Sequence, residues 1–141
     1  MFLFVFAILN LMNQPPKILV VDDEGYFREI FSTKLLAAGY NVETAENGVE
    51  AISKVALLKP DLVMMDVRMP EMDGVQAVMK LKEDPATKDT KIVFLTSFGE
   101  SEEALQAVNV KFAKDIGAIG YIKKSEDLDT MAAKVKEYLG A

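Results

Sequence analysis

The sequence predicts an α/β protein in which helices cover both faces of a parallel sheet. From Lys17 onwards, short apolar runs are followed by amphipathic helical runs, about five times over. Several of these apolar runs are continuous, which is typical of strands that are buried on both faces. Strands and helices that alternate in this way are joined by right-handed crossovers, so we expect an open, doubly wound sheet.

Length and composition indicate a single domain and exclude several kinds of site. The chain has 141 residues, of which 50% are hydrophobic and 27% are charged, and its net charge is −6. This acidic balance argues against nucleic acid as a direct partner, because phosphate binding needs a basic face. The chain has no Cys and no His. Disulfides, imidazole metal sites and His-dependent catalysis are therefore excluded, and we expect a cytoplasmic location.

The first eleven residues, MFLFVFAILNL, are apolar except for Asn10. A membrane span needs about 20 such residues, so this stretch is only about half long enough. A secretory signal begins with basic residues, and no Lys or Arg occurs before Lys17. We therefore expect neither a membrane anchor nor a secretion signal.

Pro15 and Pro16 separate this apolar stretch from the remainder of the chain. We divide the chain into an extension, residues 1–16, and a domain, residues 17–141. Two interpretations of the extension remain open. It is either an upstream addition to a chain that could begin at Met12, or an apolar helix or strand that packs on this domain or on a partner. In the second case we expect a homodimer held together by the extension.

The first two strand and helix pairs follow from local patterns. Residues 18–21 form an apolar run, and the helical stripe after them ends at Gly39, which suits a helix C-cap. Residues 41–45 alternate and predict a second strand. The next helical stripe, residues 48–58, stops before Pro60.

The later elements repeat the same alternation. Ser101 and the two acidic residues after it are typical of a helix start, and Gly117 is typical of the end of that helix. The predicted strands are residues 62–65, 92–95 and 119–122, and the predicted helices are residues 75–82, 101–116 and a last helix that reaches residue 139.

Asp66 is the most informative residue of the chain. It ends the apolar run of the stretch DLVMMDVRMPEMDG, which then turns through Pro70 and Gly74. Burying a lone carboxylate costs several kcal/mol unless it is paired or bound to a metal. We therefore expect Asp66 at the carboxyl end of its strand, in a crevice where it has partners.

Polar residues follow the other strands too. In an open α/β sheet, ligands bind beyond the carboxyl ends of the strands. Three carboxylates at one edge repel one another, and a hard divalent cation with oxygen ligands, Mg²⁺ or Mn²⁺, relieves that repulsion. A lysine and a hydroxyl would remain to hold a phosphoryl group that arrives on Asp66 as the nucleophile. The residues at these strand ends are Asp22, Asp23, Asp66, Thr96 and Lys124.

Residues 17–139 resemble the receiver domain of two-component response regulators. The stretches ILVVDDE, DLVMMDVRMPEMDG, FLTS and GAIGYIKKS are similar to four signature blocks of that family, in the same order. The resemblance implies a flavodoxin-like fold with five parallel strands in the order 2-1-3-4-5. It also implies Asp66 as the phosphoacceptor and Thr96 and Lys124 as ligands of the phosphoryl oxygens. The implied Mg²⁺ ligands are Asp22, Asp23, Asp66 and the main-chain carbonyl of Arg68.

The resemblance further implies a switch. Phosphorylation would draw Thr96 inward and let Tyr121 follow, which would change the surface formed by the fourth helix of the receiver, its fifth strand and its fifth helix. The partners would be a sensor histidine kinase or a histidine phosphotransfer protein, and a downstream effector protein. Because the chain ends at Ala141, soon after the last predicted helix, we expect a stand-alone receiver that is a phosphoacceptor and not an enzyme.

The chain departs from the family in three places. Lys124 is assigned rather than Lys123 because it lies three residues after Tyr121, as the family's lysine does. Ser125 stands where the family usually has a proline after a cis peptide bond, and a cis bond before Ser would cost about 3 kcal/mol, so the geometry of this bond stays open. The span from Thr96 to Lys124 is also longer than usual, which predicts an extended fourth helix.

Two other classes of protein are alternatives to the receiver. A phosphatase of the haloacid dehalogenase type also uses Asp and Mg²⁺, but it normally places its nucleophile on the first strand, with a second acidic residue two positions later. A pseudo-receiver that only binds partners is the other alternative. It is disfavoured because every acceptor-site residue type is present.

Overall fold

The computed structural model describes residues 1–12, 14–97 and 114–141, without the side chains of residues 10–12. The helix predicted at residues 101–116 therefore lies almost wholly outside the described residues. The described helices are α1 (Phe2–Met12), α2 (Gly25–Ala37), α3 (Gly48–Leu58), α4 (Gly74–Glu83) and α5 (Leu128–Leu139), and the strands are β1 (Lys17–Val21), β2 (Asn41–Ala45), β3 (Leu62–Asp66), β4 (Ile92–Thr96) and β5 (Gly120–Lys123).

The five strands form one parallel sheet in the order β2-β1-β3-β4-β5, which confirms the predicted fold and strand order. The winding direction reverses between β1 and β3, and ligands of such sheets bind where this reversal opens a crevice. Val21 pairs with Met65 across these two strands, and Thr96 pairs with Lys123 across β4 and β5. The strand ends that carry the predicted site residues are therefore neighbours in space.

The sheet is buried on both faces because its strand residues alternate between two cores. Leu19 and Val21 of β1 point to the core on the side of α3 and α4, whereas Ile18 and Val20 point to the core on the side of α2 and α5. This arrangement explains why β1, β3 and β4 are continuous apolar runs. The largest fully buried side chains are Phe31, Phe94, Ile18, Leu19, Leu35, Leu62, Met64, Met65, Leu81, Ile92, Leu95 and Ile122.

Side-chain caps and a left-handed residue define several helix ends. Asp73 accepts a hydrogen bond from the backbone N–H of Gln76, and the Gln76 side chain accepts one from the Asp73 N–H, so α4 begins with a capping box. Asp127 caps α5 through Thr130. Lys59 ends α3 with φ 49°, in agreement with the predicted stop before Pro60.

The fifth strand begins one residue later than predicted. Residues 119–122 were expected, whereas β5 is Gly120–Lys123. Gly117 adopts φ 103° and turns the chain before the strand, and Gly120 is the first residue in register, opposite Val93. Lys124 consequently follows the strand directly. The described part of the chain has no cis peptide bond, so the bond before Ser125 is trans.

The apolar extension forms helix α1, and the side chains of residues 2–9 lie exposed. Phe2, Leu3 and Phe4 are 83%, 79% and 69% accessible to solvent, and Phe6 is more than half accessible. The residues of the helix are apolar except for Asn10. None of the helices in the described ranges is both long and apolar enough to span a membrane.

Candidate active site

Three carboxylates meet at the carboxyl edge of the sheet. Asp22 follows β1 directly and Asp66 is the last residue of the neighbouring strand β3. One carboxylate oxygen from each of Asp22, Asp23 and Asp66 lies within 4.8 Å of the others. Asp22 and Asp66 are buried and Asp23 is exposed. The structure thus brings together the three acidic residues that the sequence singled out.

Lys124 reaches into this acidic cluster. Its Nζ lies 2.6 Å from Asp22 Oδ2, 3.2 Å from Asp66 Oδ2 and 3.5 Å from Glu24 Oε1. The side chain is only 2% exposed, whereas Lys123 lies on the surface. Lys124, and not Lys123, is therefore the lysine that faces Asp66.

Thr96 and Tyr121 lie on the two strands beyond Asp66. Thr96 ends β4 and is buried, and its main-chain carbonyl accepts a hydrogen bond from the Lys124 N–H at 2.8 Å. Tyr121 is half-buried and packs against the core on the side of α3 and α4. Its carbonyl accepts a hydrogen bond from the Tyr138 hydroxyl at 3.3 Å. The strand ladder therefore connects the predicted switch residues to the lysine and to α5.

Burial and like charge perturb Asp66. Desolvation, followed by repulsion from Asp22, raises the pKa of Asp66 to about 8, although the charge of Lys124 opposes the rise. Burial by itself would lower the pKa of Lys124, but its contacts with Asp22 and Asp66 outweigh that effect and raise it. Lys124 stays charged at neutral pH, while Asp66 needs further positive charge to ionise fully.

The donor set fits a hard divalent cation. Asp66 Oδ1 is buried and accepts no hydrogen bond from any part of the chain that the structure describes, and the buried Asp22 Oδ2 pairs with the Lys124 ammonium at 2.6 Å. Carboxylate oxygens in the absence of nitrogen or sulfur ligands suit Mg²⁺. Arg68, whose carbonyl the family resemblance implies as a further ligand, is an exposed residue of the loop that follows β3. Asp22, Asp23 and Asp66 could therefore hold Mg²⁺.

The loop after β3 is shaped by Gly74. A Cβ atom on Gly74 would lie 2.1 Å from the carbonyl oxygen of Asp66, so no other residue fits without a shift of the backbone. The Gly74 N–H donates a hydrogen bond to the Val67 carbonyl at 2.8 Å. This close return explains why the stretch DLVMMDVRMPEMDG ends in glycine.

Three residues near the site were not assigned from the sequence. Glu24 and Phe27 contact Lys124, and Arg28 donates a hydrogen bond from Nη1 to the Asp22 carbonyl at 2.8 Å. The sequence pattern placed Phe27 only in the apolar stripe of a helix. It placed Glu24 and Arg28 only at the solvent-exposed start of that helix. Their contacts span separate elements, so no local pattern indicates them. Glu24, Phe27, Ser97, Lys124 and Ser125 line a cavity of about 250 Å³.

Comparison with known proteins supports the resemblance noted in the sequence. Residues 18–136 match the response regulator receiver domain. The chain belongs to this family. Phosphorylation and Mg²⁺ binding are features of receivers, which act with histidine kinases or phosphotransfer proteins and with effectors. This receiver is 30% identical over 129 residues to sporulation initiation phosphotransferase F of Bacillus subtilis, covering 92% of this chain and 96% of the relative.

Solved receivers share the fold. The structure of chemotaxis protein CheY4 of Vibrio cholerae matches with a TM-score of 0.76 and 32% identity, over 88% of this chain and 98% of that one. A CheY-like receiver domain protein of Methanospirillum hungatei matches with a TM-score of 0.77 and 26% identity, over 90% and 95% of the two chains.

Several curated relatives are longer than this receiver. The chain is 32% identical over 124 residues to the DNA-binding dual master transcriptional regulator RpaA of Synechocystis, which covers 88% of this chain but only 49% of the relative. It spans 25% of regulatory protein AtoC of Escherichia coli. The chain thus spans about half, or less, of the length of these regulators.

Proposed function

We propose that this receiver accepts a phosphoryl group on Asp66 from a phosphohistidine of a sensor histidine kinase or of a phosphotransfer protein. The arrangement around Asp66 carries the proposal. Its Oδ1 is buried and accepts no hydrogen bond within the described ranges, while its Oδ2 lies 3.2 Å from Lys124 Nζ. One carboxylate oxygen is therefore available to attack, and the other is held by a positive charge.

Different residues of the chain would have different roles in phosphoryl transfer. A new P–O bond forms to the Asp66 carboxylate as the P–N bond to the donor imidazole breaks, and the imidazole leaves with the electron pair of that bond. Lys124 and the Thr96 hydroxyl would bind the phosphoryl oxygens, on which negative charge accumulates. Mg²⁺ held by Asp22, Asp23, Asp66 and the Arg68 carbonyl would supply the further positive charge that favours ionised Asp66. Mn²⁺ would serve in the same way.

The signal would pass through Thr96 and Tyr121. Thr96 ends β4, the strand next to the one that ends on Asp66, and Tyr121 lies half-buried on the adjacent strand, packed against the core. We infer that Thr96 moves toward the phosphoryl group and that Tyr121 follows. The output surface would comprise the fourth helix of the receiver, β5 and α5, and that fourth helix falls at residues outside the described ranges.

We further propose that this receiver acts alone, in the cytoplasm, and signals through an effector protein rather than as an enzyme or a nucleic-acid-binding protein. Its likeness to sporulation initiation phosphotransferase F, of which it covers 96%, supports the first part of this proposal, a receiver that acts alone. The exposed apolar side chains of α1 support a homodimer formed through the extension, residues 1–16.

Phosphorylation by a small donor tests the proposal. With Mg²⁺ and acetyl phosphate, intact-mass measurement should show one added phosphoryl group on the wild-type chain. Asp66→Asn should abolish the addition, and Asp89→Asn, which changes an exposed aspartate, should leave it intact. Equal labelling of Asp66→Asn, or equal labelling in EDTA, would contradict the assignment.

The same assay separates the two alternative functions. A phosphatase of the haloacid dehalogenase type would release phosphate from external phosphoesters with many turnovers. The position of Asp66 at the end of the third strand argues against it. A pseudo-receiver would show neither labelling nor turnover. One stable phosphoryl group per chain is expected only of the receiver.

A further inference from the structure

The ring of Phe27 faces the lysine of the active site. Phe27 lies in the first turn of α2, and its ring centroid is 4.7 Å from Lys124 Nζ. Two other aromatic rings contact it. Tyr26 packs edge-on against it at 5.4 Å with an interplanar angle of 76°, and Phe31 packs against it at 5.6 Å. Phe31 is buried in the core, so the cluster is anchored to the body of the domain.

The ammonium of Lys124 is held by carboxylates and by this ring. Asp22 and Asp66 contact Nζ at 2.6 and 3.2 Å, and the more exposed Glu24 contacts it at 3.5 Å. The face of an aromatic ring carries partial negative charge and attracts a cation within about 6 Å of its centroid. The ring is the one neutral group among these four partners of Nζ.

The neutrality of the Phe27 ring matters because the reaction engages the two carboxylates that lie closest to Lys124 Nζ. Asp22 is a proposed cation ligand, and Asp66 is the residue to be phosphorylated. The attraction of each carboxylate to the Lys124 ammonium would therefore weaken during transfer. Phe27 is neither a cation ligand nor a titrating group, so its attraction to Nζ is the same before and after phosphorylation.

We propose that Phe27 is a positioning residue for Lys124, which keeps the ammonium beside the incoming phosphoryl oxygens. The proposal rests on the proposed function of Lys124. A lysine side chain has four flexible carbon atoms, and holding it in place before the reaction lowers the reorganisation needed in the transition state. Phe27 also lines the cavity beside Lys124, so it acts from within the site.

Two variants and a matched control test this role. Phe27→Leu removes the aromatic face, Phe27→Tyr retains it, and Tyr26→Leu removes the neighbouring, exposed ring. We expect the phosphorylation rate with acetyl phosphate and Mg²⁺ to fall about fivefold to tenfold in Phe27→Leu. Phe27→Tyr and Tyr26→Leu should stay within about twofold of wild type. If Phe27→Leu does not fold, Phe27→Met replaces it, because it is also non-aromatic.

A second measurement reports on the ring contact itself. Protons above an aromatic face resonate upfield, so the ε-methylene signal of Lys124 in a ¹³C–¹H spectrum should move downfield in Phe27→Leu and stay in place in Tyr26→Leu. Lys124→Gln assigns the signal by removing it. The spectrum requires no phosphorylation and is recorded on the full chain.

The outcomes separate this proposal from the proposed function. An ε-methylene signal that does not respond to Phe27→Leu overturns the ring contact. A signal that responds while the labelling rate stays at the wild-type value overturns the positioning role. If the wild-type chain takes up no phosphoryl group, the proposed function itself fails, and the positioning role fails with it.

Discussion

The carbonyl oxygen of Asp66 occupies the space that a side chain on Gly74 would need. A Cβ at that position would lie 2.1 Å from this oxygen and 3.0 Å from the carbonyl carbon. Both obstructing atoms belong to the backbone of β3, which cannot move aside as a flexible side chain could. The residue that closes the loop therefore constrains the main chain of the proposed phosphoacceptor.

Gly74→Ala should damage the site and the fold together. We expect the free energy of unfolding to fall by about 2 kcal/mol or more, because the backbone of β3 or α4 must shift. Phosphorylation by acetyl phosphate should slow markedly because Asp66 is displaced. Gly140→Ala is the matched control, since a Cβ there meets its nearest atom at 3.6 Å. Wild-type stability and labelling in Gly74→Ala would show that the loop relaxes without cost.

The raised pKa of Asp66 predicts that stability depends on pH. A carboxyl whose pKa is 3.8 in the unfolded chain and about 8 in the folded protein binds its proton more tightly when folded. Stability is then greatest below about pH 4 for this group and falls as pH rises to about 8. In metal-free buffer, Asp66→Asn should remove this fall and should be more stable than wild type at pH 8, by on the order of 5 kcal/mol.

Urea unfolding of the two proteins at several pH values measures this difference. Adding Mg²⁺ at pH 8 should stabilise wild type and have less effect on Asp66→Asn, because the cation favours the ionised carboxylate. A stability difference between the two proteins that is the same at pH 5 and pH 8 would show that Asp66 does not titrate in this range.

Lys124 should matter to both stability and transfer, and Lys123 to neither. Lys124→Gln leaves Asp22 and Asp66 buried without their ammonium, so we expect a loss of about 3 kcal/mol at pH 8. The loss should be smaller at pH 5, where Asp66 is protonated and Lys124 keeps its charge. Phosphorylation should slow about 100-fold, as for other groups that stabilise developing charge.

Lys123→Gln is the control, because Lys123 is the neighbour of Lys124 in the sequence and its side chain is exposed. Its stability should stay within about 0.5 kcal/mol of wild type. Equal effects of the two substitutions on labelling would mean that the two lysines share the phosphoryl contact. Thermal unfolding at both pH values compares the stabilities of the two variants. Time courses of intact mass compare their phosphorylation rates.

The exposed helix α1 should mediate self-association. Burying seven of its apolar side chains is worth roughly 10 kcal/mol of transfer free energy before ordering costs. A chain that starts at Met12 should therefore be monomeric by light scattering, whereas the full chain should be dimeric, and both should be phosphorylated at the same rate. If only the full chain floats with liposomes, α1 binds a lipid surface and the dimer is wrong. If truncation abolishes phosphorylation, α1 is part of the active domain.

The sequence determined the alternation of strands and helices and the location of the polar strand ends. Continuous apolar runs such as residues 62–65 are typical of strands buried on both faces, and such strands usually belong to parallel sheets connected by helices. In a parallel sheet all carboxyl ends lie at one edge, so Asp22, Asp66 and Thr96 had to be near one another. These properties are local, or follow from sheet geometry, and a single sequence contains them.

Only the tertiary structure decided which groups surround Lys124. Its contacts with Glu24 and Phe27 join residues about 100 positions apart, and they depend on how α2 lies against the end of β5. The one-residue shift of β5 and the trans bond before Ser125 likewise depend on register and on turn geometry. Periodicity specifies which face of an element is buried, but the partners of a side chain are set by the packing of separate elements, and no local pattern encodes them.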